Sequence, residues 1–390
     1  MTTFTESYRK YAENFYANTS LATTDENTIS SALGSWINLA FLSIGVERQL
    51  NAEGKAKLEK QLGCSIPDSL THLKTILNSS PETISLALGF WNTPEYNNLD
   101  FNKILREKVL AVTPNASLGG IPNQDELNHW VDEHSLGIIK EFPVENPESL
   151  ISLLANVIAT KIDWDEPYKV TSEANSSWGE KLLTQRRDAN LFLGLTEDSK
   201  PYAIHWKNDE KGTLSVYSIT GDESLSADTL YKLLAEFESN TDVKGQAISV
   251  ETAEKFKSLN MDFLKFESQR SSSRYCPTSV ELPAWEASQT HDLDNLNVGF
   301  EFIKELWLAT YDMDVQTKQV AKAAYHKDGF EAAALTFSMV RAAGMMPSNE
   351  VYSIEAVFNR PYVVAAYSNE KGFENLPLFV SQVRKANSVD

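Results

Sequence analysis

The sequence predicts an α+β fold, because helical patterns fill its front, strand patterns dominate behind, and no linker divides them. In residues 8–16 and 29–46 apolar side chains recur every three or four positions, the period of a helix with one buried face. From residue 182 to 219 short segments alternate with period two and are separated by turns, the pattern of half-buried strands. The 390 residues contain no Pro-rich, Gly/Ser-rich or single-charge run and no internal repeat, so one domain over 1–390 is expected. Strands grouped behind helices imply antiparallel or mixed sheets.

Taken in order, the helical pattern continues through 52–62 and 70–77, and a strand-like run follows at 84–91. Residues 124–135 place Leu127, Trp130 and Val131 on one face of a further helix. The run from 150 to 162 is apolar with a β-branched second half, which predicts a strand covered on both faces. After a turn at Thr220-Gly221-Asp222 comes a helix over 227–237, and the remainder to Val383 reads mainly as strands. Within it, residues 325–336 spell Tyr-His-Lys-Asp-Gly-Phe-Glu-Ala-Ala-Ala-Leu-Thr. The alanines suit a helix interior. Read as strand, Ala332, Ala334, Thr336, Ser338 and Val340 form a nearly uniform small face, opposite Glu331, Ala333, Leu335 and Phe337. A segment with such a face can slide between two strands already packed over a core.

Composition narrows the function classes. A 42% hydrophobic fraction with 10% aromatics is globular. The net charge of −19 repels phosphate, so nucleic acid and heparin-like polyanions are disfavoured partners. No run of 18 apolar residues provides a membrane span. The first residues lack the apolar core of a signal peptide, which gives a cytoplasmic location as the expectation. Cys64 and Cys276 have no C-x-x-C spacing and are expected to be free thiols. The sequons at Asn18, Asn78, Asn115 and Asn175 are taken as chance matches. His129 and His134 around Glu133 mimic a metal pattern poorly, and Asp163, Asp165 and Glu166 lack a calcium-loop glycine. Neither a catalytic nor a nucleotide-binding motif occurs, so no enzyme, metal or cofactor is expected.

Residues 329–336, Gly-Phe-Glu-Ala-Ala-Ala-Leu-Thr, resemble the hinge of the reactive-centre loop of serpins, and other segments match in the same order. Thr28-Ile29-Ser30-Ser31-Ala32-Leu33 is similar to the start of the helix beneath the main serpin sheet. Asn128-His129-Trp130-Val131 with Gly137-Ile138-Ile139-Lys140 resembles the helix crossing in front of it. Residues 154–164, Leu-Ala-Asn-Val-Ile-Ala-Thr-Lys-Ile-Asp-Trp, resemble the central strand that ends in the breach. Glu281-Leu282-Pro283-Ala284-Trp285, closing in Thr290-His291-Asp292-Leu293, is similar to the penultimate sheet strand. Val357-Phe358-Asn359-Arg360-Pro361-Tyr362 and Leu376-Pro377-Leu378-Phe379-Val380 look like the C-terminal hairpin.

The resemblance implies about nine helices around three sheets, with a reactive-centre loop over 329–350 and a hinge over 325–336. It implies a suicide-substrate inhibitor of serine proteases, monomeric, whose cut loop inserts into the main sheet. Hinge residues would be Gly329, Phe330, Glu331, Ala332, Ala333, Ala334 and Thr336, and shutter and breach residues Ser30, Asn156, Trp164 and Gln319. Counting from the hinge places the reactive bond at Ala343-Gly344, favouring elastase-like or subtilisin-like targets; Arg341, which would suit trypsin-like enzymes, and Met345 are alternatives. Three residues depart from the family pattern. Phe330 stands where a small residue is usual and predicts overpacking of about 1–3 kcal/mol. Lys327 replaces an acidic residue. Gln319 replaces the shutter histidine and is expected to pair with Asn156. Phe330 sustains an alternative: a non-inhibitory serpin acting as substrate, chaperone or binding scaffold.

Overall fold

The structure, a computed structural model, describes residues 4–20, 25–79, 82–144, 146–172, 181–186, 188–240, 244, 246–271, 275–311, 315–330, 349–374 and 376–386. Nine α-helices and four hydrogen-bonded sheets are found among them. Three sheets were expected. The fourth arises because the main sheet is split into halves of four and three strands, joined by the strands Ser152–Thr160 and Ile162–Asp163, which follow each other across Lys161.

The helix Ala32–Val46 is the centre of the molecule. Fourteen of its fifteen residues are buried, as expected of a helix that is apolar all round. The sequence pattern began it at residue 29, but Thr28–Ser30 is a strand instead, paired with Val380, Ser381 and Gln382. Strand pairing ends where Ser31 accepts a hydrogen bond from Gly34 N and caps the helix. Around it pack Phe4–Ser20, Ala52–Leu62, Ile66–Leu77 and Asp100–Val112. Ala52–Leu62 ends at Gly63, whose φ of 72° and close approach to the Ser7 carbonyl leave no room for a side chain.

The six-stranded sheet runs Thr28–Ser30, Leu376–Val383, Tyr362–Ser368, Leu214–Gly221, Pro201–Asn208, Leu191–Leu195 in spatial order. Every residue of Leu214–Gly221 and Tyr362–Ser368 is buried, so the sheet is covered on both faces. A five-stranded sheet has the order Leu264–Ser271, Asn349–Val357, Thr278–Pro283, Lys181–Gln185, Lys169–Ser172. The chain leaves it at Ala284 and enters the main sheet as Trp285–Asp292. Two later helices, Val250–Lys257 and Phe300–Tyr311, interrupt a region read from sequence as mainly strand. Val250–Lys257 has only two turns and buries only Ala253 and Phe256, too little for a visible helical period.

The helix Gln124–His134 lies over the three-stranded half of the main sheet. Leu127, Trp130 and Val131 meet Trp91, Ala155, Val157 and Ala159 in a second, smaller core. A capping box starts this helix: Asn123 Oδ1 accepts from Glu126 N at 3.0 Å, and the Glu126 carboxylate accepts from Asn123 N at 2.9 Å. Asn123→Ala is expected to weaken the helix by about 1 kcal/mol, raising amide exchange over 124–134 roughly five-fold. Hydrogen exchange with and without the substitution measures this.

Candidate functional site

The two halves of the main sheet meet edge to edge without pairing. Ser152–Thr160 pairs antiparallel with Ile84–Asn92, and Lys318–Tyr325 pairs antiparallel with Trp285–Asp292. Among the described residues Ser152–Thr160 has no partner on its other side, and Lys318–Tyr325 has only Phe330, opposite Tyr325. Between these two strands lies a cleft of about 1380 Å³. Its lips are backbone edges carrying donors and acceptors with no ladder partner, the chemical template for one more strand.

The helix Ala32–Val46 and the residue before it form the floor and hold the lips in place. On one lip, Gln319 Oε1 accepts from Ser31 N at 2.9 Å, and Gln319 Nε2 donates to Ser31 O at 2.7 Å. Its cross-strand neighbour His291 is buried, with Nε2 2.8 Å from Ile29 O, where the ring nitrogen donates. On the other lip, Asn156 Nδ2 donates to Gly34 O at 2.9 Å and to Asn38 Oδ1 at 2.8 Å. Asn156 and Gln319 therefore do not pair with each other, contrary to the sequence expectation. Each spends its amide on the backbone around the helix start, where the Ser31 N–H has no partner within the helix and the Ser31 and Gly34 carbonyls each accept a further bond with their second lone pair. A Cβ on Gly34 would sit 3.0 Å from Asn156 Oδ1 and 3.6 Å from Gln319 Nε2. Ser30 does not reach the cleft; its hydroxyl lies 3.5 Å from that of Thr19, and the neighbouring Ser31 lines the cleft instead.

At the top of the cleft two further residues pair into the sheet. Gly329–Phe330 stands between the lips: Gly329 opposite Asp163, Phe330 opposite Ile162 on one side and Tyr325 on the other. Gly329 is required by distance, since a Cβ there would lie 2.1 Å from Ile162 O. Phe330 is buried among core side chains, with its ring edge-on to Tyr325 at 6.4 Å. Trp164 is 1% exposed and clips the hairpin: its N–H groups donate to Asp328 O at 2.9 Å and, from Nε1, to His326 O at 3.0 Å. Its ring lies 5.0 Å from that of Tyr325 and 6.3 Å from that of Tyr168. The remaining hinge residues Glu331, Ala332, Ala333, Ala334 and Thr336, and the bond candidates Arg341, Ala343, Gly344 and Met345, lie outside the described residues.

Beneath Trp164 a buried relay ties the hinge to the six-stranded sheet. His205 Nδ1 is 2.8 Å from Asn190 O, so it carries the proton and donates. Nε2 then accepts from Tyr168 Oη at 2.6 Å, and Tyr168 Oη accepts from Tyr325 Oη at 2.7 Å. Burial pushes His205 down from 6.5 to about 3, against a raising effect of the Asn190 carbonyl, so the ring is neutral here. Lys207 is buried beside it, with Nζ 3.3 Å from Asp165 Oδ1 and 5.1 Å from the Tyr168 ring centre. This ion pair absorbs part of the acidic group at 163–166, and no metal-holding cluster occurs among the described residues. Sequence reading singled out Asn156, Trp164 and Gln319 and included His291 in a strand match without giving it a role, but missed Gly34, Tyr168 and His205, which carry no motif and converge only in three dimensions. Both cysteines are free and buried.

No protein-family model matches the chain. Mouse alpha-2-antiplasmin is 28% identical over 137 residues, covering 35% of this chain and only 27% of that protein. A structure of native protease nexin-1 with heparin superposes with a TM-score of 0.62 at 14% identity, over 98% of this chain and 99% of that one. The native state of Tengpin, a thermophilic serpin, gives 0.63 at 19% identity, over 98% and 94% of the two chains. The chain has the serpin fold. A thyroxine-binding globulin complex with thyroxine matches this serpin-fold chain equally, at 0.62, 14% identity, and 98% and 99% coverage. No helix among the described residues is long and apolar enough to cross a membrane.

Two outcomes test the site's geometry. Gly34→Ala crowds the Asn156 amide oxygen at 3.0 Å and is expected to lower stability by about 1–3 kcal/mol, read as a lower urea midpoint. His205 stays neutral in the folded chain while the unfolded histidine takes a proton below about 6.5. Its contribution is therefore complete above pH 6.5 and is lost as the pH falls toward 3. The urea midpoint of His205→Gln should fall less between pH 7 and pH 4 than that of the wild type.

Proposed function

We propose that this chain is a member of the serpin family and a suicide-substrate inhibitor of serine proteases. The observation that carries this reading is the cleft between two unpaired strand edges, with Gly329–Phe330 already seated at its top. A protease serine attacks a carbonyl carbon in the loop over 329–350, with Ala343-Gly344 as the preferred bond. The amine of the following residue leaves and an acyl-enzyme ester remains. The freed segment then continues from Phe330 down the cleft. The small face of Ala332, Ala334, Thr336 and Ser338 turns to the core, and backbone groups pair with both lips. The acylated protease is carried away from the hinge, and the alignment of its catalytic groups needed for deacylation is lost. An alanine before the cut fits elastase-like or subtilisin-like enzymes, and Arg341 would redirect the reaction to trypsin-like ones. We place this action in a monomer over residues 1–390, inside the cell.

Phe330 favours a second reading, a non-inhibitory binding scaffold. Its ring is, however, already accommodated in the core where Phe330 pairs with Ile162 and Tyr325, so it poses no steric step for the residues that follow. A small ligand finds little room in the crevice between Tyr16, Tyr231 and Val380, which holds about 30 Å³, the space of one water.

Incubation with elastase, subtilisin and trypsin, followed by a denaturing gel, decides between the readings. A protease adduct near the summed mass is expected with elastase or subtilisin, and the released C-terminal fragment should begin at Gly344. Cleavage of the chain without any adduct supports the scaffold reading instead.

A further inference from the structure

The strand that follows the loop, Asn349–Val357, is held on one edge from Asn349 to Ala356 and on the other from Ile354 to Val357. On one side it pairs antiparallel with Leu264–Ser271 over eight consecutive positions, from Leu264 opposite Ala356 to Ser271 opposite Asn349. On the other it pairs in parallel with Thr278–Pro283, from Thr278 opposite Ile354 to Glu281 opposite Val357. Phe358 N donates to Glu281 O at 2.8 Å and Val357 N to Phe263 O at 2.9 Å, closing both ladders at the far end. Side chains add to the grip: Lys265 Nζ lies 3.0 Å from the Glu355 carboxylate, and Lys257 Nζ sits 4.4 Å above the centre of the Tyr352 ring. Val351, Ile354 and Ala356 are buried.

Chain length makes this grip consequential. Eighteen residues separate Phe330 from Asn349. The cleft is as long as the eight-residue lip Lys318–Tyr325, about 27 Å at about 3.4 Å per residue. A segment running down it from Phe330 uses eight or nine of the eighteen residues, and the rest reaches about 30 Å when fully extended. That return brings the chain back only to the level of the hinge. The strand Asn349–Val357 runs parallel to Thr278–Pro283 and toward Trp285, so Asn349 is the end remote from the hinge, about 27 Å further on. An uncut loop therefore fills the cleft only if the strand Asn349–Val357 unzips to supply chain.

We propose that Leu264–Ser271 is a clamp that keeps Asn349–Val357 in its sheet, so that loop insertion in this chain waits for the cut. Removing an outer strand breaks one ladder, whereas removing a central one breaks two and strips Lys257 and Lys265 of their contacts. The clamp also leaves the C-terminal fragment docked after cleavage. This proposal rests on the reading of the cleft as the acceptor of the loop.

Hydrogen exchange read by mass spectrometry on the full chain, uncut and cut, tests it. In the uncut chain, the amides of 354–357 should be protected throughout, because both edges are bonded there, and over 349–353 those that face Leu264–Ser271 should be protected by the clamp alone. Over a day of incubation below the melting temperature, peptides over 152–160 and 318–325 should keep exchanging at the cleft-facing positions; after the cut they should become protected. Exchange within seconds of all the amides over 349–353, the behaviour of a stretch with no ladder, overturns the clamp. Protection of the lips in the uncut chain overturns it too. If the lips stay unprotected after the cut, the insertion reading itself fails and the proposal with it, and the 349–357 peptides still report separately whether the strand is held.

Discussion

The two lips of the cleft are bolted to neighbouring turns of one buried segment, and the rest of the structure follows from that constraint. His291 and Gln319 hold one half of the main sheet to Ile29 and Ser31; Asn156 holds the other half to Gly34 and Asn38. Because the anchors run from the strand Thr28–Ser30 through the cap Ser31 into the first turns of a helix with fourteen buried positions, the halves cannot slide together without breaking side-chain hydrogen bonds to this one buried segment. The sheet remains divided, with its ladder groups facing a cavity. A divided sheet is less stable than a closed one, and a strand entering between the lips restores the missing ladders on both sides.

Gly329 and Phe330 close the top of the cleft. Gly329 passes where only a hydrogen fits against Ile162 O, and Phe330 caps the cleft by packing on Tyr325. The Tyr325–Tyr168–His205 relay and the Trp164 clip make this corner the rigid end of the cleft. The departures seen in sequence find local explanations. Lys327 lies 2.9 Å from the Asp328 carboxylate at the exposed hairpin turn, and Gln319 does with two amide atoms what a single ring nitrogen could do only in part.

Much of the fold was legible because it is written in periodicity. The helices 52–62 and 124–135 and the strand 84–91 agree with Ala52–Leu62, Gln124–His134 and Ile84–Asn92 to within a residue. Boundaries failed where a tertiary partner intervened, as at Thr28–Ser30, which pairs with residues some 350 positions away. The helix Phe300–Tyr311 was hidden because strand-like neighbours surround it. At the site, sequence supplied the segment 154–164 that carries Asn156 and Trp164, and Gly329. It did not supply the partner of Gln319, because nothing in a linear chain says whether an amide bonds across a cleft or down to a helix. Nor did it supply the second ladder on Asn349–Val357, since Leu264–Ser271, rich in Lys, Glu, Gln, Arg and Ser, reads as an exposed polar run.

The cleft is an unfilled place in the sheet if a freed segment of the same chain can close it. The most direct measurement is the thermal unfolding temperature of the purified chain before and after a single cut within the loop. Filling the cleft with the freed segment predicts a large upward shift, with both fragments still associated. An unfolding temperature that stays the same or falls after the cut would contradict it.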